Sequence, residues 1–447
     1  MSLVFGSTSA PTCPGLPYQI LEASAPLQNV LQHVETTSPF IANVAAYTHA
    51  FTSVQAVKTA ADPESVEQAF EKFSSIYTVA KTPNLFEAVG KIISLGLSTI
   101  GLDDIKQYIA ELANNAASHS NTNLKEPDNI IYPRAHSQDA PYSFPEDTLR
   151  GAIHIPTTFR YGAEGAPQPI ILVGGTGNPG YVSFAGSYIP LLQDSATSFG
   201  DPVWLNMPGH ALLDVQANAE FVAYAVNYIH GISRGRPVAV VGYSQGNLDA
   251  QWAYKYWPST RGLVSDHVAL SPGYHGTQLT EILGLVPQPP AWLQATYDSA
   301  FVAALRAGGG DSAFVPTTVV YSATDQVVQP QRGPGASSPL ADAWGVGVSN
   351  NLIQDVCPGW PAGGFYTHEG MLVNPLAYAL AKDALAHEGP GRVERLDLEA
   401  ICRNYLAPGL RLEDFLVTEN NVVFAGVATL LYSGKSRSEP RIRVYAA

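Results

Sequence analysis

From Leu27 to about Ala117 apolar residues recur at helical spacing, and the β-branched clusters that mark strands are nearly absent. Val66, Phe70, Phe73 and Ile76 fall on one helical face, and Leu85, Val89, Ile92 and Ile93 on another. Asp62 before Pro63 and Thr82 before Pro83 each combine an N-cap with proline at the first helical position, so a helix is predicted to start at both. A third start is predicted near Asp103. The serine- and asparagine-rich stretch Ser118–Asn123 then breaks the pattern and opens a linker that runs to about Ala140.

Beyond the linker the period changes. The short apolar runs Ile170–Val173, Val203–Leu205, Val238–Val241, His267–Leu270 and Thr318–Tyr321 are each followed by a Gly, Pro, Asn or Asp turn. They alternate with helical stretches, one carrying Val215, Val222, Val226 and Ile229 along a face and another beginning near Asn247. Such alternation predicts parallel βαβ units, hence an α/β fold with a mostly parallel central sheet over 129–447, preceded by an all-helical segment in 1–128. The apolar run Val422–Tyr432 is about half the roughly 20 residues that span a bilayer and predicts a buried helix, so no transmembrane segment is expected. Met1–Tyr18 lacks both the basic start and the apolar region of a secretory signal.

Composition narrows the function classes. The 447 residues are 46% hydrophobic and 10% aromatic, ample for a large core, but only 14% charged. A net charge of −14 without any dense basic run argues against nucleic acid and against anionic membranes as electrostatic partners. Three cysteines, Cys13, Cys357 and Cys402, are too few and too scattered for a zinc site built on paired cysteines. Spacing alone leaves a Cys357–Cys402 bridge and a pair of buried thiols equally open.

Two pentapeptides fit G-x-S-x-G, Gly231–Gly235 and Gly242–Gly246. The motif works where a strand turns sharply into a helix and forces its serine into a strained conformation, with glycines on both sides to avoid clashes. Gly242–Gly246 follows Val238–Val241 directly and opens onto a helical stretch, which makes Ser244 the candidate nucleophile. Ser233 follows the end of a helix, with Gly231 read as a C-cap and Ser233 as a surface turn residue. A nucleophilic serine needs an imidazole and a carboxylate, in this context following it in the order acid, then histidine. Of the histidines after Ser244, His267 lies in a strand, His387 late in a helix, and His275 precedes every good acid. His368, in the glycine-rich loop Gly363–Gly370, is the candidate base, and Asp325, just past the strand Thr318–Tyr321, is the candidate acid. The glycine-rich turn Gly174–Gly177 can bring backbone N–H groups beside the serine. The same turn spells G-x-G-x-x-G from Gly175 to Gly180, but Pro179 lies inside it and Asn206 ends the next strand where a ribose-binding acid would stand, so a nucleotide site is not expected.

The segments Pro169–Gly177, Tyr243–Trp252, Ser271–Thr277 and above all Val315–Gln331 resemble the Candida antarctica lipase B-like fungal lipases, over roughly Pro169–Tyr432. The resemblance implies an α/β-hydrolase fold and a secreted carboxylic-ester hydrolase that, without metal or organic cofactor, forms an acyl-enzyme from acylglycerols or other apolar esters, with a lipid–water interface as a place of action. It assigns nucleophile, acid and base to Ser244, Asp325 and His368, and adds Thr176 and Gln245 as oxyanion donors. It aligns Cys357 with Cys402 as a disulfide, and Tyr243, Gly273, Val327 and Val328 with the substrate pocket. Tyr243 stands where the family has tryptophan and Gly273 where it has aspartate, so substrate size and stereochemical preference do not transfer. Acyl transfer to an alcohol, and a catalytically silent lipid-binding protein, are the alternatives. The N-terminal helices are expected to form a cap over the crevice of Ser244, the alternatives being a passive layer or a prosegment cleaved near Arg134.

Overall fold

The computed structural model describes residues 60–77, 83–98, 116–279 and 287–447. Seven strands, β1 (Ile153–His154), β2 (Pro169–Val173), β3 (Asp201–Leu205), β4 (Val238–Tyr243), β5 (Val264–Leu270), β6 (Thr317–Tyr321) and β7 (Val348–Leu352), form one sheet in the order β1-β3-β2-β4-β5-β6-β7. Only β1 runs antiparallel to its neighbour; the other pairs are parallel. Every residue of β2, β3, β4 and β6 is buried, as expected of parallel strands covered on both faces. Alternate side chains serve separate cores. Ile171, Val173, Val238 and Val240 meet α3 (Val215–Ile232) and α4 (Gln245–Tyr256) through Val222, Val226, Ile229 and Trp252. Ile170, Leu172, Ala239 and Val241 join a second core with Leu376 and Leu380 of α5 (Pro375–Ala386).

The N-terminal helices belong to that second core. Phe70, Phe73 and Ile76 of α1 (Val66–Ile76) and Val89 and Ile92 of α2 (Leu85–Ser94) are buried in it. Phe70 stacks on Phe415 of α6 (Leu412–Glu419) at 4.5 Å and meets Tyr366 edge-on at 4.9 Å. Val89 of α2 lies against Gly426 of α7 (Asn421–Leu431). Two helix starts differ from expectation. Ser65, not Asp62, caps α1: its hydroxyl accepts from Gln68 N–H while the Gln68 side-chain oxygen accepts from Glu64 N–H, two bonds that set the start three residues further on. Asn84 and Glu87 exchange bonds reciprocally at α2, whereas Thr82, the expected cap, and the helix near Asp103 lie outside the described residues.

Two strands escape the hydrophobic pattern. β1 is too short to show, and β7 reads Val-Ser-Asn-Asn-Leu because it is an edge. The side chain of Asn350 donates to Leu340 O at 2.8 Å and accepts from Leu340 N–H at 3.1 Å. At the opposite edge Asn123, in the predicted linker, donates to Ile153 O at 2.8 Å and Arg150 O at 2.9 Å. The linker has no helix or strand, yet it is tied down, Tyr228 Oη donating to Lys125 O at 2.7 Å.

Candidate active site

The strand-to-helix corner after β4 holds Ser244 at φ 53°, ψ −123°, a conformation rare for an L side chain. The flanking glycines let the corner close: a Cβ on Gly242 would lie 2.2 Å from Asn247 Oδ1, and one on Gly246 would lie 2.3 Å from Val173 O. Asn247 locks the turn, its amide donating to Ser244 O and Leu270 O, both at 3.0 Å, while its oxygen faces His267 Nε2 at 2.9 Å. His267 is therefore structural, and burial pushes its imidazole down to about 3.

His368 enters from the loop before α5. Its Nε2 lies 2.7 Å from Ser244 Oγ and its Nδ1 2.7 Å from Asp325 Oδ2. The other Asp325 oxygen accepts the N–H groups of Val327 and Val328 at 2.8 and 2.7 Å, which fixes the carboxylate beyond the end of β6. Burial disfavours the imidazolium, but the charge and hydrogen bond of Asp325, aided by the charge of Glu369, outweigh it and lift His368 above the ordinary histidine value. Three groups far apart in the chain thus make one continuous chain of hydrogen bonds.

The turn after β2 lies alongside. A Cβ on Gly175 would lie 3.0 Å from Ser244 Cβ, so only glycine allows this approach. Thr176 Oγ1 donates to Gln245 Oε1 at 2.6 Å. Gln245 opens α4, so its N–H has no partner within the helix, and among the described residues nothing accepts from the N–H of Thr176 or of Gln245. The segment that holds this turn was not singled out in the sequence. Gly209, His210 and Ala211 are all left-handed, at φ 67°, 54° and 58°; His210 O accepts from Gly177 N–H at 2.8 Å and Ala211 O from Gln245 Nε2 at 2.9 Å. The only signal for it was the Pro208-Gly209 turn after β3. α7 crosses above, close enough that a Cβ on Gly177 would sit 2.7 Å from Ala425 Cα.

Other candidates fall elsewhere. Ser233 is fully buried, not a surface turn residue, because the linker packs Pro127 against Gly231 and Gly162 packs against Ser233. Ser233 itself is the C-cap of α3, and Gly231 remains helical. His275 Nε2 lies 3.5 Å from Asp311, away from the serine. Gly273 faces the methyls of Val328, Val327 O accepts from Thr277 Oγ1 at 2.8 Å, and Tyr243 is buried with its ring 5.2 Å from that of His368. Cys357 and Cys402 form a disulfide. Among the described residues no three His, Cys, Asp or Glu side chains could hold a metal ion, and no helix is long and apolar enough to cross a membrane. Gln326, Glu369 and Glu419, which surround the back of His368, carried no sequence signal.

No family model matches the chain. Lipase B from Pseudozyma antarctica is 33% identical over 284 residues, 62% of this chain and 79% of that protein. The crystal structure of Aspergillus fumigatus lipase B superposes with a TM-score of 0.83 at 42% identity, covering 94% of this chain and 99% of that one. With a seven-stranded hydrolase sheet, a serine at its strand-to-helix corner and this degree of likeness, the chain belongs to the lipase B family of α/β-hydrolases and is a carboxylic-ester hydrolase.

Proposed function

We propose that the protein cleaves apolar carboxylic esters, acylglycerols among them, through an acyl-enzyme on Ser244. The observation that carries this reading is the unbroken hydrogen-bond chain from Ser244 through His368 to Asp325, at 2.7 Å per link. In the first half-reaction Nε2 of His368 takes the hydroxyl proton as Oγ bonds to the substrate carbonyl carbon. The carbonyl oxygen becomes an oxyanion, which the N–H groups of Thr176 and Gln245 receive. Asp325 holds the imidazole with its Nδ1–H inward and stabilises the imidazolium. The same proton then passes to the departing alcohol, leaving an ester on Ser244. In the second half water repeats the attack, giving its proton to Nε2, and the acid leaves as Oγ is reprotonated.

An apolar substrate fits the cover over the site, since α7, the helix above the glycine-rich turn, has no charged residue from Asn421 to Leu431. The N-terminal helices act with it as one cap, α2 bracing α7 from outside. The disulfide supports secretion into an oxidising compartment. A fluorophosphonate ester tests the chemistry on the full chain: the wild type and Ser233→Ala hydrolyse esters, become labelled and lose that activity on labelling, while Ser244→Ala stays unlabelled and inactive. Labelling that persists in Ser244→Ala, or an unlabelled wild type, overturns the assignment.

A further inference from the structure

Behind His368, on the side away from Ser244, lies a buried node of acids that the hydrolytic steps leave unused. Gln326 Oε1 accepts from the backbone N–H of His368 at 2.7 Å, and Gln326 Nε2 donates to Glu369 Oε2 at 2.7 Å. Glu419, the last residue of α6, accepts from Thr367 Oγ1, and a Cβ on Gly370 would lie 3.0 Å from Glu419 Oε1. Both carboxyls are buried, 4% and 1% exposed, and among the described residues no lysine or arginine pairs with either. The groups facing them are Asp325 beyond β6, His368 in the same loop, the phenol of Tyr243 at the end of β4, and the phenol of Tyr77, just past α1, which also contacts Gln326.

Two carboxyls this dry, one raised further by the other's charge, do not both ionise, so the node holds at most one charge. Its location follows from the partners. Glu369 has donors in Gln326 and the Tyr243 phenol and the imidazole of His368 beside it; among the described residues Glu419 has only the Thr367 hydroxyl and faces Glu369. Burial raises both acids, and Glu419 further by the charge of Glu369. Glu419 therefore keeps the proton.

We propose that Glu369 is a positioning residue for the hydrolytic reaction: held by Gln326 as the ionised member of its pair with Glu419, it gives His368 a second buried anion and sets the pH at which that imidazole becomes a free base. The inference rests on the reading of His368 as the general base. It also links the N-terminal helix α1 to the catalytic histidine through Tyr77, Gln326 and the His368 main chain.

The test is the acidic limb of kcat/KM in the full-length enzyme, which reports the histidine of the free protein. Glu369→Gln keeps the shape and the bond from Gln326 but removes the negative charge, so His368 loses its proton more easily. The limb moves to lower pH by about one unit. Gln326→Leu, which removes the amide donor of Glu369 and leaves it the Tyr243 phenol alone, favours its protonation and moves the limb the same way. Glu419→Gln replaces a neutral group with a neutral one and leaves the limb within about 0.2 unit. A merely structural node would lower kcat without these shifts. A limb unmoved in folded Glu369→Gln overturns the proposal, as does a downward shift in Glu419→Gln of the size expected for Glu369→Gln. Fluorophosphonate labelling of Ser244 in the same samples separates this failure from failure of the hydrolase reading, which would leave even the wild type unlabelled.

Discussion

The cost of Gly246→Ala follows directly from the packing around the serine corner. The added Cβ would stand 2.3 Å from Val173 O and 2.8 Å from Gly174 O, against the 3.4 Å at which ordinary contact begins, so about 1 Å of separation has to be found. The obstacle is main chain, which cannot rotate away. β2 is held against β4 by the register from Ile170↔Ala239 to Val173↔Gly242, so the strand does not slide; the part able to move is the turn Gly174–Gly177. That turn carries Thr176 and its bond to Gln245. Overpacking of this kind costs about 1–3 kcal/mol of stability, and a displacement of about 1 Å at a reacting centre costs roughly a hundredfold in rate. The expected variant folds with a lowered Tm and hydrolyses p-nitrophenyl butyrate with kcat down about a hundredfold. Gly262→Ala is the control, since a Cβ there meets nothing within 4 Å and its φ is not left-handed. A folded Gly246→Ala enzyme retaining a third or more of wild-type kcat would refute the view that the turn after β2 must sit against the serine corner.

Two further outcomes follow from burial. The disulfide closes a loop of 45 residues that contains His368, so replacing Cys357 and Cys402 together by alanine lowers the unfolding free energy by about 4 kcal/mol on the loop-entropy estimate; guanidinium melts measure it, and an unchanged midpoint rejects it. Asp266 on β5 is 4% exposed with an oxygen that finds no partner among the described residues, and burial pushes its acid up to about 7. A raised acid destabilises the fold only when ionised: the penalty is absent below the unfolded value near 4, grows through the interval, and is complete above about 7. Asp266→Asn therefore gains about 2 kcal/mol at pH 8, half the roughly 4 kcal/mol ceiling set by the shift, and nothing at pH 4; an equal gain at both pH values contradicts the account.

What could be read from the sequence was what the backbone period and the serine corner encode locally. The central strands β2 to β6 announce themselves because both faces are buried, leaving continuous apolar runs. Ser244 stands out because a strained turn demands glycines at fixed offsets, and Asp325 and His368 because loops at carboxyl strand ends converge on it. Where side chains substitute for backbone partners the pattern is silent. β7 hides because Asn350 and Asn351 spend their amides on main-chain groups, which makes a strand look like a loop. The left-handed run Gly209–Ala211 and the acid node of Glu369 and Glu419 depend on contacts between distant segments, for which spacing offers no sign. Ser233 misled for the complementary reason, its polarity suggesting a surface that Gly162 and the linker cover.

The asparagine amides at the two sheet borders bear on how the open edges of the sheet are covered. An open border of a parallel sheet is a ladder of unclaimed N–H and C=O groups onto which a foreign strand can dock and start a fibre. Here the Asn350 side chain fastens the Leu340 segment alongside β7, and Asn123 caps the Ile153 carbonyl of β1 and the neighbouring Arg150 carbonyl, so side chains hold covering segments against both borders. The connecting strap around Asn123 is then less a tether between helices and sheet than a gasket. Shortening it to trim the enzyme would uncover a sticky seam, and the loss would appear first as turbidity during expression rather than as slower turnover.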